Sequence, residues 1–260
     1  MTDEHSSSRH PRLLPAATLL SLLAACGRTN ESTVTAPSTA PIRVFAAASL
    51  TASFQAIAAA YEQQHPGQKV ELHLAGSPQL ALQLREGAAA DVFASADQPN
   101  MQKVVDAGVT AAPPVEFARN ELAIAVRAGN PKRIAGLADL ARPELKVALC
   151  APEVPAGKYA RQALLAQRLT VRSVSDESSV KAVVGKVQLG EVDAGVVYAT
   201  DTKVDGVEGV AIASAQNVVA SYPIAVLARG GNRAGGEEFV AFVRSEAGRA
   251  LLRRHGFVLP

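Results

Sequence analysis

"VFAAASLTASF", residues 44–54, carries the fold in miniature. It begins as an apolar strand and ends as an apolar helix face, with leucine and phenylalanine at positions 50 and 54. One hydroxyl, Ser49, sits at the junction, with no charge beside it. The same alternation continues outward. "IRVFAAA" (42–48) reads as a mostly apolar strand, and the helix after it places Leu50, Phe54, Ile57 and Tyr61 on one face at helical spacing. "KVELHLA" (69–75) alternates strictly, with Val70, Leu72 and Leu74 facing one way and Glu71 and His73 the other. A short helix with Leu80 and Leu84 ends at Gly87. "DVFASA" (91–96) is a third strand, followed by a helix with Met101, Val104 and Val105. "ELAIAV" (121–126), "LKVALC" (145–150) and "AGVVY" (194–198) are further strands. Helices near 155–169 and 179–189 lie between the last two, and one final helix carries Phe239, Phe242, Val243 and Leu251. Strands interleaved with helices predict an α/β fold, a mostly parallel sheet with helices on both faces.

The 260 residues suffice for a sizeable core and one or two domains. Apolar residues make up 48% and charged residues 19%, and the net charge is +2. That near-neutral balance gives no reason to expect nucleic-acid binding. Aromatic residues, at 4% with no Trp, are too few for recognition by ring stacking. The five histidines (5, 10, 65, 73 and 255) are scattered, and no metal-ligand spacing occurs.

The N-terminus reads as an export signal over residues 1–25. Arg9, His10 and Arg12 form a basic region, and the apolar run "LLPAATLLSLLAA" (13–25) is too short to span a bilayer comfortably. It ends in "LAAC" (23–26), which resembles the bacterial lipoprotein cleavage box and marks Cys26 for lipid. An ordinary signal peptide with an incidental Cys is the other reading. The chain has two Cys, and one stands where the box requires it, which favours lipidation. Cys150, left alone at the end of an apolar run, reads as a buried structural thiol. Residues 26–41, rich in Ser, Thr and Pro without apolar period, read as a flexible tether. The globular body starts at Ile42.

Open sheets of this kind hold ligands at the carboxyl ends of their strands, beside helix N-termini. Four junctions qualify. "AAASL" brings Ser49 to the start of a helix behind three alanines. "LAGSPQL" (74–80) repeats the geometry, with Ser77 as an N-cap candidate and Pro78 at the first helical position. "APEVPAGKYA" (151–160) opens a helix with Pro155 and leaves Ala156 and Gly157 almost without side chains. "DESSVKAVV" (176–184) has Ser178 or Ser179 as the cap of a helix that begins at Val180. "GVVYATD" then delivers Tyr198 at a strand end. Taken one at a time, each junction is an ordinary helix cap. Taken together, they offer several N-termini with unpaired N–H groups, each with about half a positive charge. No Lys or Arg stands where the ligand would sit. Such a site suits a fully ionised oxyanion and offers no acceptor to one that keeps a proton, such as hydrogen phosphate.

"VFAAASL", "GSPQLALQLREGAAADVFASAD", "AVRAGNP", "VPAGKYARQAL" and "GEVDAGVVYATD" resemble, in order, segments of the periplasmic molybdate-binding proteins, the solute receptors of molybdate ABC transporters. The resemblance covers Ile42 to Pro260. It implies a two-lobed periplasmic-binding-protein fold of type II with the ligand cleft between lobes. Lobe 1 would be 42–120 with 222–260, and lobe 2 would be 121–221, with crossovers near "FARNELAI" and "ASYPIAV". It also implies an oxyanion held by two serines, two backbone amides and a tyrosine hydroxyl. These fall on Ser49, Ser77, Ala156, Val180 and Tyr198. Pro78 departs from the family, where many members carry another serine. By the same resemblance the ligand is molybdate or tungstate, with molybdenum bound only as the oxyanion. There is no catalytic residue and no cofactor. The partner is a membrane permease subunit, and the protein is a monomer on the outer face of the cell membrane.

Three other readings stand beside this one. A receptor for sulfate or another tetrahedral oxyanion stays within the class. An α/β hydrolase is disfavoured because "AGSPQ" lacks the second glycine of a nucleophile elbow. An adhesive or structural lipoprotein predicts no ligand in the cleft. The absence of a P-loop excludes a P-loop nucleotide enzyme.

Overall fold

A computed structural model of the chain describes residues 40–260. The segment expected to be an export signal (1–25), Cys26 and the expected tether up to residue 39 lie outside the described residues. The described chain runs through β1 (Ile42–Ala47), α1 (Thr51–Gln64), β2 (Val70–Ala75), α2 (Ser77–Arg85), β3 (Val92–Ala94) and α3 (Gln98–Asp106). It continues through β4 (Val115–Arg127), β5 (Val147–Cys150), α4 (Pro155–Ala166), β6 (Ser173–Glu177), α5 (Val180–Leu189) and β7 (Ala194–Tyr198). It closes with β8 (Val207–Ala211), β9 (Val219–Val226), α6 (Arg233–Arg244) and α7 (Glu246–Arg254).

The strands follow the order β2-β1-β3-β9-β4-β7-β5-β6, with β8 on β4. Two parallel triplets form the hearts of two lobes: β2-β1-β3, with Ile42 opposite Val70 and Val44 opposite Val92, and β6-β5-β7. Each βαβ crossover puts a helix on a sheet face, and β1 carries Ile42, Val44 and Ala46 fully inside on one face, with Arg43 exposed and Phe45 half-buried on the other. Strands β4 and β9 run antiparallel to their neighbours and link the triplets. Along β4 the partner changes. Val115–Glu121 pairs with β9, and Leu122–Arg127 pairs with β7 and β8.

The periodic segments fold as read. Phe54, Ile57 and Tyr61 are buried on α1, and Val70, Leu72 and Leu74 pack on the core while Glu71 and His73 face out. Two expectations change. The single final helix is two, α6 and α7, broken at Ser245, whose hydroxyl accepts from Gly248 N–H and donates to Phe242 O. A Cβ on Gly248 would stand 2.3 Å from Phe242 O, so only glycine fits this corner. Strands β6, β8 and β9 were not read as strands. Pro223 lies inside β9 and argues against one. The sheet takes it opposite Glu116, where the β4–β9 register shifts.

Candidate functional site

Ser49 lies in a 3-10 turn (Ala48–Leu50) between β1 and α1 and is buried. It caps nothing. Its Oγ is 3.0 Å from the hydroxyl of Tyr222 on β9, and either oxygen can donate. The local carbonyls are met instead by Thr51, which donates to Ala48 O, and Ser53, which donates to Leu50 O.

Ser77 also differs from its expected role. Gly76 is the N-cap of α2, Ser77 takes the first helical position and Pro78 the second. Ser77 Oγ reaches across to the end of β3 and accepts from Ala96 N–H at 3.1 Å. Its hydroxyl proton therefore remains available. No side chain caps α2, so the helix tip keeps its own donors free.

Helix α4 starts at Pro155 with no side-chain cap for the buried amides of Ala156 and Gly157. A Cβ on Gly157 would lie 2.2 Å from Ala151 O and 2.3 Å from Cys150 O, so α4 springs directly from the end of β5. Helix α5 is capped by Ser179, whose Oγ accepts from Ala182 N–H at 3.4 Å. That bond spares the amides of Val180 and Lys181. Strand β7 ends at Tyr198, which is 1% exposed, and its hydroxyl makes no well-formed hydrogen bond to the protein.

These elements meet at one small cavity. Ser49, Ser77, Ala156, Val180 and Tyr198 all lie on its wall, while Pro78, Gly157 and Ser178 of the same junctions do not line it. The wall carries no Lys, Arg, His, Asp or Glu. The polar groups on the wall itself are helix tips and hydroxyls. Burial pushes the Tyr198 and Tyr222 phenols well above their ordinary value, which keeps both protonated as donors at neutral pH. Just outside the wall, the fully buried Asp201 accepts from Tyr198 N–H at 3.3 Å, and Lys181 Nζ stands 3.2 Å from its other oxygen. Burial raises the Asp201 carboxyl above its ordinary value, and Lys181 opposes the shift.

Sequence reasoning missed the supporting layer. Tyr222 orients Ser49 from 173 residues away, and Ala96 orients Ser77 from 19 residues away. For Tyr222 a signal existed: a phenol in the mostly apolar crossover "ASYPIAV". For Ala96, which acts through its backbone, none did. Cys150 is buried, and burial pushes its thiol well up, as a structural cysteine requires. Among the described residues no cluster of His, Cys, Asp and Glu suits a metal ion, and no helix is long and apolar enough to cross a membrane.

Comparison with known proteins places this geometry in context. Residues 42–258 match a family described as bacterial extracellular solute-binding protein. The molybdate-binding protein ModA of Mycobacterium tuberculosis is 43% identical over 255 residues, covering 95% of this chain and 97% of its own. The periplasmic molybdate-binding protein of Azotobacter vinelandii superposes with a TM-score of 0.70 at 20% identity, over 84% of this chain and 99% of its own. The sulfate-binding protein SubI of M. tuberculosis superposes as well, at 0.69 and 21% identity, over 84% and 86%. The two structural matches share the two-lobed fold and do not by themselves distinguish one oxyanion from another.

Proposed function

The chain belongs to the bacterial extracellular solute-binding proteins, and from that premise we propose that it is a receptor which closes over one molybdate ion and delivers it to the permease of an ABC importer. The observation that carries this reading is the Tyr198 hydroxyl. It is a buried donor without a partner, on the wall of a cavity lined by neutral groups. A buried polar group left unpaired costs about 1–3 kcal/mol, and an anion's oxygen in the cavity removes that cost.

The donors are the hydroxyls of Ser49, Ser77 and Tyr198 and the amides of Ala156 and Val180. With Tyr222 as the donor of the Ser49–Tyr222 bond, the Ser49 proton is free for the anion. Ser77 already accepts from Ala96, so its own proton also turns to the ligand. Each hydrogen bond to a charged group contributes roughly 1.5–3 kcal/mol. A set of them offsets the desolvation of a dianion that meets no countercharge. Hydrogen phosphate brings a proton to a wall without a carboxylate to accept it. Sulfate is smaller and leaves the donors stretched. Tungstate, nearly isosteric with molybdate, binds alongside it.

The lobes of this receptor are 42–120 with 222–260, and 121–221, hinged where β4 and β9 cross. Cys26 carries the lipid that holds a monomer to the outer face of the membrane. The molecule catalyses nothing. A sulfate receptor is the second reading, since neutral donors on the wall serve any fully ionised oxyanion. A melting assay with an oxyanion panel separates them. Molybdate and tungstate at a hundred times their dissociation constant stabilise by about 2.7 kcal/mol, with the same ranking at about pH 6 and about pH 9, because no wall group titrates between them. Sulfate and phosphate stabilise far less. Equal or greater stabilisation by sulfate assigns the receptor to sulfate, and no stabilisation by any oxyanion removes the reading.

A further inference from the structure

Gly76 ends the β2–α2 connection in one lobe, and Ser178 lies in the β6–α5 connection of the other. A Cβ placed on Gly76 would stand 2.4 Å from the carbonyl oxygen of Ser178 and 3.6 Å from its carbonyl carbon. The next nearest atom, Pro78 Cδ, is at 3.8 Å. The obstacle is therefore backbone of the opposite lobe, which has no rotamer by which to retreat. The backbone of Gly76 does not call for glycine: φ is −62° and ψ is 138°, an extended conformation open to any residue. Glycine is needed here for room, and the room is needed only when the lobes are together.

The contact also sits at the ligand. Gly76 is on the cavity wall and directly precedes Ser77, and Ser178 precedes the cap and first residue of α5. The separation between Gly76 and Ser178 therefore fixes how near the Ser77 hydroxyl and the Val180 amide come to a shared anion. We infer that Gly76 is the closure stop of the cleft, a positioning and specificity-determining residue whose missing side chain sets the depth to which the lobes shut. A Cα–H against a carbonyl oxygen is itself a weakly favourable contact, so the stop also holds the closed form. This inference rests on the oxyanion-receptor reading.

With alanine at position 76, restoring an ordinary contact of 3.4 Å from 2.4 Å parts the lobes at this rim by about 1 Å. Donors that stand about 2.9 Å from the anion in the parent then lie near 3.9 Å on one side, outside hydrogen-bonding range. Small tetrahedral anions lose more than large ones, because they bridge the widened cleft less well.

The test is a calorimetric titration of sodium molybdate and sodium sulfate into the full chain and into Gly76→Ala and Gly76→Val. It is paired with ligand-free melting and with small-angle scattering with and without molybdate. Gly136→Ala, a site with nothing within 4 Å, is the control. Expected are a loss of molybdate affinity of about tenfold or more for alanine, in line with at least one lost hydrogen bond to a charged group, and a larger loss for valine. Also expected are a larger loss for sulfate wherever it binds, a weaker molybdate-induced contraction, and ligand-free melting like the parent's. Gly136→Ala behaves as the parent. Unchanged molybdate affinity in both Gly76 variants, or a ligand-free melting loss as large as the binding loss, overturns the inference. A parent chain that binds neither anion refutes the receptor reading itself, a result distinct from the other two.

Discussion

Tyr198 and Ser77 reach the same cavity, but the protein uses their hydroxyls differently, and substitution separates them. The Tyr198 hydroxyl makes no well-formed hydrogen bond to the protein, so Tyr198→Phe removes a donor to the ligand at little cost to the protein's own pairing. Ligand-free stability should stay level or rise slightly while molybdate affinity falls by about tenfold or more. Ser77→Ala should lose affinity similarly, and it also strands the Ala96 amide, at a cost of about 1 kcal/mol or more in ligand-free stability. Titration and melting of both variants decide this. A destabilised Tyr198→Phe, or a Ser77→Ala that binds like the parent, contradicts the assignment. Both serines were legible as hydroxyls at strand-to-helix junctions. Their local reading as caps failed because each is held by a group from a different strand, Tyr222 or Ala96, and a local sequence pattern does not carry such a pairing.

At the scale of elements, the site depends on how abruptly helices leave strands. Gly157 shows the constraint most clearly, since a Cβ there meets two backbone carbonyls that end β5. Gly157→Ala should therefore push the tip of α4 away, with a stability loss of about 1–3 kcal/mol and weaker anion binding as the Ala156 amide moves. A variant with the parent's melting temperature and affinity would show that α4 has slack at its start. The helices were legible because apolar faces repeat at 3.6 residues and prolines open α2 and α4. The missed strands had weaker marks. β6 reads "SVSDE" and β8 reads "VEGVA", both half-exposed, and β9 holds a proline. The break between α6 and α7 turns on Ser245 and on the tight fit of Gly248, neither of which interrupts an apolar period.

Across the whole molecule, the parallel triplets β2-β1-β3 and β6-β5-β7 each aim their carboxyl ends at the same space, and β4 and β9 are long enough to serve both. That arrangement lets residues as distant as 49 and 198 share a wall without any charged side chain on it. The two-lobed plan was carried into the sequence reading by the family-like motifs. Alternation alone predicted an α/β sheet and left its division unstated. The change of partner along β4, from β9 to β7 and β8, falls where the polar "EFARNE" gives way to the apolar "LAIAV", at the crossover that the family-like motifs put near "FARNELAI".

The central claim is that uncharged donors from both lobes surround one oxyanion. Crystals of the protein grown with tungstate test it most directly, through the anomalous signal of tungsten. The account predicts one strong peak inside the cavity, with its oxygens within hydrogen-bonding distance of Ser49, Ser77 and Tyr198 and of the Ala156 and Val180 amides. An empty cavity, or a peak held instead by lysines or arginines elsewhere on the surface, would contradict it.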